Sequence, residues 1–209
     1  LPTFLLLREV GLLDVLLPEL AQVLREPDPE HPDGAGHLFW ALLDVLDAER
    51  RRGRVFDDAV LFALFFLPIV RARIRENAPD GHPSPGFLTS VLEDLVTPIA
   101  LRMFLPNAVS HRIKHALSIA GRLSHRPDSR LATRRLAFRD AFPAALNLFE
   151  LSAMATGRGD ELSREWRALW ERLQKARKAF EAETGIAAGP TPPARKRRRR
   201  GGRRHRQGP

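Results

Sequence analysis

The 209 residues carry 34 Lys and Arg against 25 Asp and Glu, a formal charge of +9, with no cysteine and no tyrosine. A chain of this length can bury a core as one or two domains. The missing thiol excludes disulfides, thiolate zinc sites and cysteine nucleophiles, and the longest apolar run, Ala59 to Val70 at 12 residues, is short of the ~20 that span a bilayer as helix. No membrane partner and a cytoplasmic location are therefore expected. Leu1–Leu7 has neither a basic leader nor a small-residue cleavage site. The chain opens on leucine rather than methionine, and a fragment, a processed product or a trimmed chain is expected.

Apolar residues recur at i, i+3 and i+4 almost throughout, and strand-type alternation is missing. The fold class expected is all-α, an irregular helical bundle with a disordered arginine-rich C-terminal tail. Residues 2–10 form the end of a helix closed by Gly11. Leu12 to Leu24 follows as a helical pair, with Pro18 opening the second piece and Leu13, Leu16, Leu17 and Leu20 facing the core. After a loop over Pro27–Gly36, a helix runs from about Leu38 to Arg51 with Leu38, Leu42, Val45 and Leu46 inward. Asp57 or Asp58 caps the next helix, which reaches about Arg75, is kinked at Pro68 and forms the centre of the fold. Phe87–Leu105 is helical with a bend or break at Pro98.

The most regular helix spans about Pro106 to His125. On a wheel, Val109, Ile113, Ala116, Ala120 and Leu123 share one face. Arg112, His115, Arg122 and Arg126 share another, interrupted by Ile119. A short element over Asp128–Leu136 adds Arg130, Arg134 and Arg135, so this region suits a groove that tracks a phosphate backbone. Phe142 to Thr156 is a buried helix ended by Gly157 and Gly159. Glu161 to about Glu183 is a long amphipathic helix whose Trp166 and Trp170 are spaced for packing rather than for base stacking. A first domain over 1–185 and a spacer with basic tail over 186–209 are expected.

The tail reads RKRRRRGGRRHRQGP. It holds nine basic side chains and no acid: Arg195, Lys196, Arg197, Arg198, Arg199, Arg200, Arg203, Arg204 and Arg206. Taking these nine from the 34 Lys and Arg leaves 25, which the 25 acids balance, so the whole excess charge lies in one segment. Charge this dense and of one sign stays solvated until it meets a polyanion. Guanidinium forks suit bidentate phosphate contact and stacking on bases. RNA or DNA is the expected partner.

Catalytic patterns are missing from the sequence. Asp28, Glu30 and Asp33 fail the calcium-loop spacing, and Gly34-x-Gly36 follows no strand and has no third glycine. His111 and His115 are i, i+4 but lack the glutamate of a zinc-protease helix. Asp57 and Asp58 point about 100° apart on a helix and cannot share one metal ion. No catalytic residue and no metal ligand is assigned.

Five stretches together resemble the C-terminal part of the bacterial poly(A) polymerase family, relatives of the CCA-adding tRNA nucleotidyltransferases. They are LLLREVGLLDVLLPEL (Leu5–Leu20), VLFALFFLPIV (Val60–Val70), LEDLVTPIALRMFLPNAVSHRIKHALSIAGRL (Leu92–Leu123), FRDAFPAALNLFELSAMATG (Phe138–Gly157) and the basic tail. The resemblance implies an all-helical body that holds the 3′ end of RNA in a sequence-tolerant way. It places catalysis in an upstream head, where an Asp-x-Asp pair binds two Mg²⁺ and ATP is the substrate, so this stretch alone is expected to be inactive and to need no cofactor. The RNA contacts inferred are Arg112, Lys114, Arg122, Arg126, Arg134, Arg135 and the nine basic residues of the tail. A stand-alone nucleic-acid-binding adaptor and the equivalent region of a CCA-adding enzyme are the alternatives.

Overall fold

A computed structural model describes residues 2–25, 34–77, 84–125 and 130–184. Among them there are ten helices and no strand, so the all-α expectation holds. The disordered tail that was expected lies outside the described residues. In chain order the helices are α1 (Pro2–Glu9), α2 (Leu12–Leu16), α3 (Pro18–Arg25), α4 (Ala35–Arg51), α5 (Asp58–Asn77), α6 (Pro85–Arg102), α7 (Asn107–Leu123), α8 (Arg130–Ala137), α9 (Phe142–Thr156) and α10 (Asp160–Thr184).

Local chemistry explains most of the boundaries. Gly11 takes φ 72° between α1 and α2, a left-handed conformation that glycine adopts without steric cost. Asp57 caps α5, its Oδ1 accepting from Val60 N at 3.0 Å. Ser84 does the same for α6, accepting from Phe87 N at 3.2 Å. Helix α4 starts at Ala35, three residues before the periodicity begins at Leu38, because a helix can start on residues that carry no apolar signal. Pro98 does not break α6, and α5 likewise runs through Pro68. Each proline removes one backbone donor, and packing of the surrounding helix outweighs that loss. Pro68 itself is buried.

Helices α5, α7 and α9 form the centre, with α4 against α5 and α9, α6 against α5 and α7, and α10 against α9. The short helices α1–α3 lean on this group through α3, which meets α4 and α5, and through Phe4 of α1, whose ring packs on Phe39 and Phe65. One apolar cluster extends from Leu13 to Trp166. Leu13, Leu17 and Leu20 enter it as expected, but Leu16 does not and is 45% exposed. The chain turns at Leu17, between α2 and α3, and this takes Leu16 off the inward face. Ile119 is likewise buried rather than lying in a solvated stripe. The C-terminal half of α7 is enclosed on more than one side, and Trp166 of α10 donates its Nε1–H to the Leu123 carbonyl at 3.0 Å.

The end of α6 is unusual. Leu105 N bonds to Ala100 O at 2.8 Å and Phe104 N to Leu101 O at 3.2 Å, the pairing of a Schellman cap. The left-handed position of that motif favours glycine. Here Phe104 occupies it at φ 52°, with its residue surface 92% exposed. Phe104→Gly is expected to raise stability by about 0.5–1 kcal/mol. Relief of a left-handed β-carbon contributes about 1–2 kcal/mol, and the greater freedom of glycine in the unfolded chain takes back about 0.5–1 kcal/mol. A urea midpoint measurement checks this. A fall in midpoint at constant slope would show that the ring makes a stabilising contact.

Candidate nucleic-acid interface

Pro106 caps α7 in an extended conformation, and the helix then commits a broad face to the core: Ser110, Ile113, Ala116, Leu117, Ile119, Ala120 and Leu123 are buried. His111, Arg112, His115 and Arg122 remain on the outside. The first three lie in the N-terminal half, where the His111 and His115 rings meet edge to face at 5.7 Å. Arg122 lies near the other end, with buried Ile119 between them along the helix.

The charges predicted to meet RNA do not have equal freedom. Lys114 lies against α6: its Nζ is 2.7 Å from Glu93 Oε2, and its side chain is only 12% exposed. That hydrogen bond, with a second from Thr97, holds the Glu93 carboxyl below the usual carboxylate range. Lys114 thus joins two helices. Arg112 is paired with Asp57, the residue that caps α5, and both side chains are about half exposed. An exposed pair of this kind contributes little to stability, so a phosphate can exchange for Asp57 at low cost. Arg122, Arg134 and Arg135 are exposed and form no ion pair with another described residue. Helix α8 is held by buried Leu136 and Ala137, which leaves its two arginines outward. Arg126 and the nine basic tail residues, from Arg195 to Arg206, lie outside the described residues.

Other basic residues are committed to structural work. Glu49 is buried and receives Arg54 Nη1 at 2.9 Å and Arg52 Nη1 at 2.5 Å. Arg54 also donates to Glu150 at 2.8 Å and to Asn147 at 3.3 Å, while Arg167 grips the same Glu150 through Nε at 2.6 Å and Nη2 at 2.7 Å. This network joins the end of α4 to α9 and α10. Among the described residues no group of three His, Asp or Glu is arranged to hold a metal ion. The acids Asp57 and Glu49 serve a cap and an ion-pair network respectively. No described helix is long and apolar enough to cross a membrane.

The model of one protein family, described as the polymerase A arginine-rich C-terminus, matches residues 87–205, more than half of the chain. The chain belongs to that family. No curated protein and no solved structure matches it. The poly(A) polymerase C-terminal match starts within α6 and takes in α7 to α10. It therefore contains every residue singled out for RNA contact except Arg206, including the six consecutive basic residues Arg195 to Arg200. Helices α1 to α5 precede the match. The fold of this poly(A) polymerase C-terminus brings together one further basic group, formed by Arg71, Arg75 and Arg158. Arg71 and Arg75 are i, i+4 and so share a face of α5, which was readable. Their proximity to Arg158 was not, because it depends on how α5 packs on α9.

Proposed function

We propose that this chain is the RNA-holding region of a polynucleotide adenylyltransferase, which extends RNA 3′ ends with adenylate from ATP. The observation that carries this reading is the coincidence of the family match with the charge: the excess of nine basic residues lies almost entirely within a stretch assigned to the arginine-rich C-terminus of a polymerase. Nucleotidyl transfer requires closely placed carboxylates and two metal ions, and the resemblance of the sequence assigns these to a head upstream of this body. In this reading residues 1–185 are the helical body and 186–209 the basic extension, in the cytoplasm. The body contributes Arg112, Arg122, Arg126, Arg134 and Arg135. Lys114 has less to offer, because its side chain is largely covered and its ammonium is paired with Glu93. The contacts are to phosphate, so recognition is tolerant of sequence.

The test is binding to a fluorescent oligo(A) across a salt series, for the full chain and for a version ending at Gly189. Nine contacts to single-stranded phosphate would give a slope of at most about −6 in log K against log salt. The full chain is expected to bind with a steep slope. Truncation is expected to weaken binding about tenfold or more and to leave a shallower, measurable slope from the body. Failure of the full chain to bind would sink the reading. ATP-dependent extension of the oligonucleotide by this chain alone would overturn the assignment of catalysis to another part of the protein.

A further inference from the structure

Helix α6 ends in a feature that the stability of the fold does not explain. Met103 and Leu105 pack against the apolar core, while Phe104 between them turns its ring to solvent. Phe104 is 92% exposed and sits at φ 52°, a left-handed conformation that suits glycine. Its ring meets no other ring and no guanidinium among the described residues. The other described Phe and Trp side chains are buried or half-buried, apart from Phe180, which is 50% exposed and has a contact of its own. Residues held in sparsely populated backbone regions cluster at binding sites, because the surrounding structure must impose them. Phe104 gives up both an easy backbone conformation and the burial of its ring.

We propose that Phe104 is a stacking platform for one base of an RNA strand. Base–aromatic stacking acts between π faces, accepts any base and needs no net charge at the site. That suits a binder tolerant of sequence. The extent of the apolar surface favours a base over a protein. Among the described residues of α6, α7 and their junction, the other exposed large hydrophobic side chain is Leu101, one turn earlier at 69%. Two side chains fall well short of the ~800 Å² that each partner covers in a stable protein complex, but they match a single base. The surroundings suit a strand. The chain runs from Phe104 through Leu105 and Pro106 directly into α7, whose second turn carries Arg112, half exposed and paired with Asp57. Arg102 is held by Glu19 at 2.5 Å, and the stack does not draw on it. Phe104 also lies within the stretch matched to the polymerase C-terminus. That the stacked ring is an RNA base rests on the RNA-holding reading above.

The experiment measures oligo(A) binding by the full chain and by its Phe104→Leu, Phe104→Gly and Phe104→Trp variants across a salt series. Phe104→Leu and Phe104→Gly are expected to weaken binding about five- to twentyfold, and Phe104→Trp to keep or strengthen it. The salt slope is expected to be the same throughout, because no phosphate contact is lost. With an abasic oligomer of the same length, the wild-type chain is expected to lose its advantage over Phe104→Leu. Phe104→Gly is expected to bind less well while melting higher, a combination that no folding defect produces. Equal oligo(A) binding by the wild type, Phe104→Leu and Phe104→Gly would overturn the platform and leave the RNA reading intact. If the wild-type chain binds no oligo(A), the RNA reading fails and the platform with it. Self-association that Phe104→Leu abolishes, with RNA affinity unchanged, would assign the ring to a second copy and refute the proposal. A loss of affinity with a lower melting temperature in both Phe104→Leu and Phe104→Gly would make the ring a packing contact, and would likewise refute it.

Discussion

Phe142→Ala is expected to lower stability by about 4 kcal/mol, enough to bring a domain of ordinary stability close to unfolding at 37 °C. Phe142 is the first residue of α9 and is fully buried. Its ring lies 5.3 Å from that of Trp170 and 5.9 Å from that of Trp166, so it forms the seam between the centre of the bundle and α10. Removing it takes away the transfer energy of a whole phenyl group and leaves a cavity between two large rings that cannot close on it. The side chain of Trp166 is also fixed by its bond to the Leu123 carbonyl, which limits relaxation. A fall of about 8–16 °C in melting temperature follows for a chain of this size. The check is calorimetry or circular dichroism with urea unfolding as the second probe. A loss under about 1 kcal/mol would mean that α10 does not depend on this contact.

Arg54→Ala is expected to cost about 2–3 kcal/mol. Breaking a buried pair by removing one partner costs about 3–5 kcal/mol. The figure is reduced here because Arg54 is 33% exposed, Arg52 still reaches Glu49, and Arg167 still grips Glu150. The hydrogen bond from Arg54 is the largest influence holding the Glu49 carboxyl below its ordinary value, against the desolvation that burial imposes, with Arg52 adding to it. Burial works against the charge of Arg54, but its bonds to Glu49 and Glu150 raise its pKa all the same. The sign for pH follows. A carboxylate depressed in the folded state stabilises the fold above its unfolded pKa, and that contribution is lost as pH falls through the folded value. The wild-type chain should therefore lose stability as pH drops below about 4.5, and the variant should lose less over the same window. Glu49→Gln in the Arg54→Ala background is expected to recover part of the loss, since a buried neutral amide costs less than an unpaired charge. Parallel pH dependence of the two proteins would show that Glu49 is not the titrating group.

Much of the architecture could be read without coordinates because helical periodicity is a local property. Gly11, Pro18, Asp57 and Gly157 act on their immediate neighbours, and each stands where the element boundaries required. The misreadings have one cause. Leu16 and Ile119 were placed by their position on a single helix, whereas burial depends on how many neighbours that helix acquires. Of the two outcomes open at Pro98, a bend or a break, packing removed the break, and α6 continues through it. Phe104 carried no signal at all, since nothing in the letters MFLP shows that a phenylalanine will occupy a position suited to glycine.

The same division runs through the functional residues. The sequence by itself determined that the chain is helical, that residues 1–194 are formally neutral, and that the excess positive charge lies in the last fifteen residues. These are sums and spacings, and folding cannot change them. Only the tertiary structure decided which body charges remain available. It placed Lys114 on Glu93 and Arg54 between Glu49 and Glu150, left Arg122, Arg134 and Arg135 facing outward, and brought Arg71 and Arg75 to within one cleft of Arg158. The physical reason is that a charge is neutralised or concentrated by what lies within a few ångströms of it, and in a helical bundle those neighbours come from distant parts of the chain.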